Sequence, residues 1–386
     1  MFSIFPLKGT IGDINGFYCD GIDNVGFIYS DTLCEIEAIF TKNKFQAAPL
    51  KHFINKKSFK TNFVLINSKN ANAMTGQNGI DDIDEILDKL TNINKTIVNP
   101  IMSSTGVIGV PLPKEKILNS AAKFDLLSQN GTNLSKVIMT TDNYPKSCLY
   151  KVVLQNGSSF QIGAVAKGAG MINPNLATML CFICTDANIP KNDMKELLLV
   201  NNRTSFNAIS VDGDTSTNDT VMLLANKTSS SYDKEAFKEV LKMVMNDMAM
   251  LIVEDGEGAT KCVAFEIVGA INDQEAQIVA KALSNSPLVK TALFGEDPNW
   301  GRIASTIGAS GVTCDEEKLT ISFGDICCFY KGEIIFDKET EQKASDILKT
   351  NKFKITCDLG LKYGKFTAYG CDLGYEYIKI NGNYRT

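Results

Sequence analysis

Short apolar runs that fit buried strands recur along almost the whole chain, separated by Gly- and Asn-rich turns and by stretches of helical periodicity. Interleaving of this kind leaves one broad solution, a layered α/β protein built on mixed sheets. In the first third, "NFVLINSKNANAMTGQNG" is an apolar strand that breaks into a polar loop. The loop feeds a helix over 80–90, where Ile80, Ile83, Ile86, Leu87 and Leu90 share one face. A second helix is expected over 114–127, after "SSTGVIGVPLP". "KVIMTTD", "YKVVLQNGSSFQIGAVAKGAG" and "ATMLCFICTDA" then read as β-rich. A long helix follows over 233–253, with Phe237, Val240, Leu241, Val244 and Met248 on one side. "CVAFEIVGA" returns as a strand, a helix follows over 274–284, and the remainder reads as β-rich apart from a helix over 338–348.

A chain of 386 residues is too long for one small core, so two domains are expected, with a boundary near residue 262. Apolar residues make up 44% and the net charge is −5, which removes the electrostatic case for nucleic acid or an anionic membrane as the main partner. No apolar run reaches the roughly 18–20 residues of a membrane span. Residues 1–8 carry no basic segment leading into a long apolar stretch, so no export signal is expected.

Eleven cysteines are scattered, several inside strand-like runs. Cys181 and Cys184 have CxxC spacing, but no matching second pair exists, and buried free cysteine behaves as a small hydrophobe. No metal site is expected, and the setting reads as reducing and cytoplasmic. Histidine is more telling, because the chain has one, His52. It lies in "PLKHFINKK", with no recognisable nucleophile or ligand beside it, and reads as a packing or surface residue. A covalent catalyst of this sequence needs a base other than histidine.

The segment "GAVAKGAGMINPNLATMLCFICTDA" offers one. Gly163, Gly168 and Gly170 permit close backbone approach, and Pro174 between Asn173 and Asn175 forces a turn. The apolar run "MLCFI" follows at once as a buried strand. Ala177–Thr178 therefore stands where a tight loop enters a rigid strand. A threonine hydroxyl is a weak nucleophile unless a base takes its proton, and its own α-amine, with an ordinary pKa of about 7.7–8.0, becomes available once the preceding peptide bond is cut. Most threonines at strand starts are structural, and the local chemistry leaves that reading open. The glycines fit neither a dinucleotide fingerprint nor a P-loop.

Read whole, "AKGAGMINPNLATMLCFICTDA" closely resembles the signature of the ornithine acetyltransferase (ArgJ) family. The resemblance extends through "VLINSKNANAMTG", "SSTGVIG" at 103–109, "IMTTD" at 138–142 and "SVDGDTSTND" at 210–219. It continues in "VEDGEGATK" at 253–261, "GEDPNWGRI" at 295–303 and the terminal "GCDLGYEYIKINGNYRT", in family order over nearly the full chain. It implies an autoprocessing acyltransferase, with a fold similar to the self-cleaving aminopeptidase and amidase group and a smaller α/β C-terminal domain. The reaction implied is transfer of acetyl from N-acetylornithine to glutamate in the cyclic route to arginine, with acetyl-CoA left open as a further donor.

Carried over by motif, Thr178 is the nucleophile, Ala177–Thr178 the cut, and Thr105 with Gly106 the oxyanion hole. Such donors are worth roughly 3 kcal/mol each to a tetrahedral oxyanion. Thr141, Lys167, Thr178, Glu257, Asn381 and Thr386 match substrate contacts. The resemblance further implies chains 1–177 and 178–386 in a tetramer of two of each. It places a catalytic domain over 1–262 and a domain over 263–386 that completes the substrate site, and it needs no cofactor. Lys69 and Met74 stand where the family commonly has a glycine and a cysteine. An N-terminal-threonine amidase or aminopeptidase, passing the acyl group to water, is the competing reading.

Overall fold

The computed structural model describes residues 1–57, 59–173 and 179–383. The N-terminal part runs β1 (Phe2–Pro6), β2 (Phe17–Ile22), β3 (Val25–Phe40), α1 (Ala48–Asn55), β4 (Lys60–Asn67), α2 (Gly76–Ile93) and β5 (Ile101–Ser104). It continues through α3 (Lys114–Ala121), α4 (Gly131–Val137), β6 (Lys146–Leu154), β7 (Ser159–Lys167), β8 (Leu180–Thr185), α5 (Lys191–Asn202), β9 (Thr220–Ala225) and α6 (Lys234–Glu254). Its strands form one sheet in the order β1-β6-β7-β8-β9-β3-β4-β5, with β2 paired to β3. β8 lies inside this sheet, antiparallel to β7 and parallel to β9.

Burial on both faces explains why β8 is apolar without alternation. Cys181 and Ile183 pack with α5 and α6, while Leu180, Phe182 and Cys184 pack into the core on the opposite side. Cys181 and Cys184, three residues apart on a strand, thus face opposite ways and form neither disulfide nor metal site. Burial pushes both thiols well above the usual range.

The remaining elements are β10 (Cys262–Ala270), α7 (Asp273–Asn285), α8 (Pro287–Phe294), α9 (Trp300–Ala309), β11 (Thr320–Phe323), β12 (Ile326–Tyr330) and β13 (Glu333–Ile334). After them come α10 (Lys338–Leu348), β14 (Lys352–Asp358), β15 (Gly364–Cys371) and α11 (Tyr375–Gly382). Their strands make a second sheet, ordered β13-β12-β11-β14-β10-β15, with its own core against α7 to α10. The fold is therefore mixed α/β with a separate C-terminal sheet. Among the described residues no helix is long and apolar enough to cross a membrane.

Three sequence expectations need correction. "KVIMTTD" is not a strand: Lys136 and Val137 end α4, whose start is capped by the Asn130 side chain accepting from Asn133 N at 3.1 Å. The helix expected over 114–127 ends at Ala121, and a turn follows. The stretch after α7 is not uniformly β-rich, because α8, α9 and α11 occupy it. "GEDPNWGRI" is the start of α9, where the Asn299 side chain accepts from Arg302 N at 3.1 Å and Trp300 stacks on Phe329. His52 is a packing residue of α1: it is buried, and its Nε2 lies 3.0 Å from Asp84 Oδ1 on α2.

Candidate active site

β5 runs parallel to β4 and leads directly into Thr105–Gly106. Gly106 has φ +133°, and a Cβ there would run into the Lys69 carbonyl carbon and lie 2.5 Å from Asn70 N. Glycine is thus imposed at this turn by both backbone sterics and space. The neighbouring loop is fixed by Asn218, whose Nδ2 donates to Ala71 O at 2.5 Å and Ser104 O at 2.8 Å. Lys69 and Met74, on the same loop, sit at φ 73° and 59°. A glycine would adopt the Lys69 backbone without strain. Lys69 Nζ reaches Thr140 O at 3.1 Å.

β7 delivers Lys167 beside this turn. Its Nζ donates to Thr140 Oγ1 at 2.7 Å and Thr105 Oγ1 at 3.3 Å. Burial lowers its pKa, and Asp142 opposes that shift. Asp142 accepts from Gly168 N at 2.6 Å and pairs with Lys146 at 2.8 Å, and Lys146 also reaches Asp255 at 2.5 Å. Burial would raise the Asp142 pKa, but Lys167 and Lys146 outweigh it and hold the carboxyl below the usual range. This buried triad joins the loop before β6 to the C-terminus of α6.

Two residues beyond Asp255 the chain presents Glu257, whose N–H donates to Ala169 O at 2.9 Å. A Cβ on Gly170 would collide with the Glu257 carboxyl group, so glycine there lets the carboxylate rest over the backbone. Asn381 on α11 donates to Glu257 Oε2 at 2.7 Å. The opposite wall comes from "SVDGDTSTND". Asp212 accepts from Met171 N at 2.6 Å and Ile172 N at 3.0 Å, and Gly213 O accepts from Asn173 Nδ2 at 2.8 Å.

One cavity is lined by Thr105, Gly106, Thr141, Lys167, Glu257 and Asn381, the expected site residues that lie among those described. Ala177, Thr178 and Thr386 fall outside the described residues. Met179 and Leu180, which follow the expected cut, line the same cavity. Thr140 and Asp219 also line it and were not anticipated as site residues. Thr140 adjoins Thr141 in the quoted motif, whereas nothing local to Asp219 distinguishes it from a loop aspartate. Among the described residues no three of His, Cys, Asp and Glu gather as metal ligands.

The ArgJ family profile matches residues 15–386. The chain belongs to the ArgJ family. It is 55% identical to the arginine biosynthesis bifunctional protein ArgJ of Wolinella succinogenes, over 100% of both chains. It is 39% identical to a glutamate N-acetyltransferase of Methanopyrus kandleri, over 96% of this chain and 99% of that one. A crystal structure of the arginine biosynthesis bifunctional protein ArgJ of Bacillus halodurans aligns with TM-score 0.50 and 39% identity, covering 53% of this chain and 98% of the other.

Proposed function

We infer that this chain is a glutamate N-acetyltransferase of arginine biosynthesis, moving acetyl from N-acetylornithine to glutamate through an ester on Thr178. The observation that carries this reading is the 55% identity with a family member over the full length of both chains. The cavity adds physical support. Lys167 donates to Thr105 Oγ1, so the Thr105 hydroxyl proton is left to point at an oxyanion together with the Gly106 N–H. Lys167, buried at the cavity with its amino group donating to Thr140 and Thr105, suits the α-carboxylate common to both amino acids. Glu257, steadied by Asn381, suits a substrate ammonium.

In the forward half-reaction the Thr178 hydroxyl attacks the acetyl carbonyl and its α-amine takes the proton. Collapse of the tetrahedral intermediate releases ornithine. Glutamate enters the same pocket, and its amine takes the acetyl group from the ester. Thr141 and Thr386 complete the substrate contacts in this scheme, and the second sheet with α11 makes the domain over 263–386 that closes the site.

The α-amine exists only after a cut between Ala177 and Thr178. The Bacillus halodurans chain, about half the length of this one, has the size such a cut produces. The fragments 1–177 and 178–386 would stay joined, since β8 and β9 on one side of the cut pair with β7 and β3 on the other. We read the assembly as two copies of each fragment. The Wolinella succinogenes relative is called bifunctional, and acetyl-CoA is the second donor to assay.

Intact mass spectrometry tests the reading. The purified protein should give two fragments, and N-acetylornithine should add one acetyl group to the fragment beginning at Thr178. Thr178→Ala should remain whole and transfer no acetyl. Turnover by that variant, or acetyl passing only to water, would overturn the assignment, the second outcome in favour of an amidase.

A further inference from the structure

The acetyl-transfer steps leave Asp219 without a role. Its side chain is 2% exposed, and Oδ2 has no hydrogen-bond partner among the described residues. Burial raises its pKa well above the carboxylate range, against the opposing pull of the Ser216 and Thr41 hydroxyls and of Lys167. Lys167 is a poor counter-ion here, because it gives its protons to Thr140 and Thr105 and also faces Asp142 and Glu257. A buried polar atom without a partner is rare enough in native proteins to need a reason.

Its place in the fold suggests the reason. Asp219 immediately precedes β9, whose first residue, Thr220, donates its N–H to Met179 O at 2.8 Å. Met179 is one residue beyond the bond that the proposed function requires to break. Met179, Asp219, Lys167 and the Thr105–Gly106 turn line one cavity. A buried carboxyl group with one oxygen unpartnered among the described residues, in surroundings that favour its protonated form, thus stands at the start of the strand pair that carries the new N-terminus.

We propose that Asp219 is the proton donor of self-cleavage: it protonates the nitrogen expelled when the Ala177–Thr178 bond breaks, and afterwards pairs with the new α-ammonium. The inference rests on the processing step above and adds its acid. Thr178 Oγ forms a bond to the Ala177 carbonyl carbon, and the C–N bond breaks. The nitrogen keeps its amide hydrogen, gains one from the threonine hydroxyl and one from Asp219, and leaves as an ammonium. Asp219 is left as a carboxylate. Water then hydrolyses the ester, giving the Ala177 carboxyl group and restoring the Thr178 hydroxyl. Return of the shared proton to Asp219 frees the amine to act as base in acetyl transfer.

The test follows full-length chain made by cell-free synthesis, pulse-labelled and shifted into buffers from about pH 6 to 9. Cutting is read by denaturing electrophoresis, with Thr178→Ala as the uncut standard. Asp219→Asn keeps the shape but has no proton to give, and should cut about 100-fold more slowly, the scale of general acid catalysis. Asp219→Glu should recover part of the rate. The wild-type rate should fall as pH rises through the raised pKa of Asp219, and the residual rate of the amide variant should lack that fall. Cutting of Asp219→Asn at the wild-type rate overturns the proposal and leaves the acetyltransferase reading intact. Wild-type chain that never cuts overturns the processing step itself. If Asp219→Asn does not fold, as judged by its thermal transition, the wild-type profile decides, and a rate that does not fall overturns the proposal.

Discussion

Lys146 has no exposed side-chain surface and stands between two carboxylates, Asp142 at 2.8 Å and Asp255 at 2.5 Å. Replacing both charges of such a group by apolar side chains can be neutral, but removing one partner strands the rest. Lys146→Ala leaves two buried acids sharing a space, and should lower stability by about 3–5 kcal/mol in urea unfolding. His52 offers a cleaner titration, because the chain has no other histidine. Burial lowers its pKa, with Lys56 acting in the same sense and Asp84 against both. The unfolded chain therefore binds a proton more readily than the folded one, at about pH 6.5 and just below. Stability should rise with pH through that window, and His52→Gln should flatten the rise. The imidazole resonances in an NMR titration of the wild type should show a midpoint below about 6.5. A midpoint at or above that value would mean that the Asp84 contact outweighs burial.

At the scale of elements, α11 joins the second sheet to the cavity without belonging to either core. None of its residues is buried, and its attachments include the Phe294–Tyr375 edge contact at 5.6 Å, the close approach of Tyr377 N to Gly258 and the Asn381–Glu257 hydrogen bond at 2.7 Å. Deleting residues 375–386 should therefore leave the thermal midpoint nearly unchanged. It should lower kcat/KM by about 10- to 100-fold, the value of a hydrogen bond to a charged group, mainly through KM. Steady-state kinetics beside calorimetry separates the two effects. Helices with a long apolar stripe were readable from sequence: α6 buries Phe237, Val240, Leu241, Val244 and Met248, the face expected of it. α9 was not, because it buries only Ile303 and Ile307 and includes Gly301 and Gly308. Its neighbour α8 did carry a start signal, Ser286 followed by Pro287. α4, opened by its Asn130 cap, shows the converse: it takes Val137, the first residue of a β-branched stretch, and the rest of that stretch forms no strand.

For the whole molecule, the expected cut falls in sequence between β7 and β8, which are neighbours in one sheet. Register ties Lys167 to Leu180 and Ile162 to Thr185 across β7 and β8, and Glu35 to Ala225 across β3 and β9. The core between this sheet and α6 draws on residues from both sides of the cut, including Phe160 against Phe237 at 5.8 Å. Cleaved protein should accordingly elute from size exclusion as one species containing both fragments. They should separate only in denaturant; separation in native buffer would contradict this packing. The C-terminal part meets the loop between α5 and β9 through the Ile209–Tyr369 bridge and Lys281 Nζ on α7, which donates to Ile209 O at 2.6 Å.

The sequence by itself determined the alternation of strands and helices, the buried character of β8 and the lack of a histidine base, since each is written in local period or in composition. Family resemblance named Thr105, Gly106, Thr141, Lys167, Glu257 and Asn381 without saying how they meet. Tertiary structure alone decided that these six lie around one cavity, that Lys167 orients Thr105, and that Asp219 is sealed there with Oδ2 unpartnered among the described residues. The physical reason is that the cavity forms where strands and loops far apart in the chain end side by side. Their neighbourhood is set by sheet register and by the Asp142–Lys146–Asp255 triad, and neither leaves a local pattern to read.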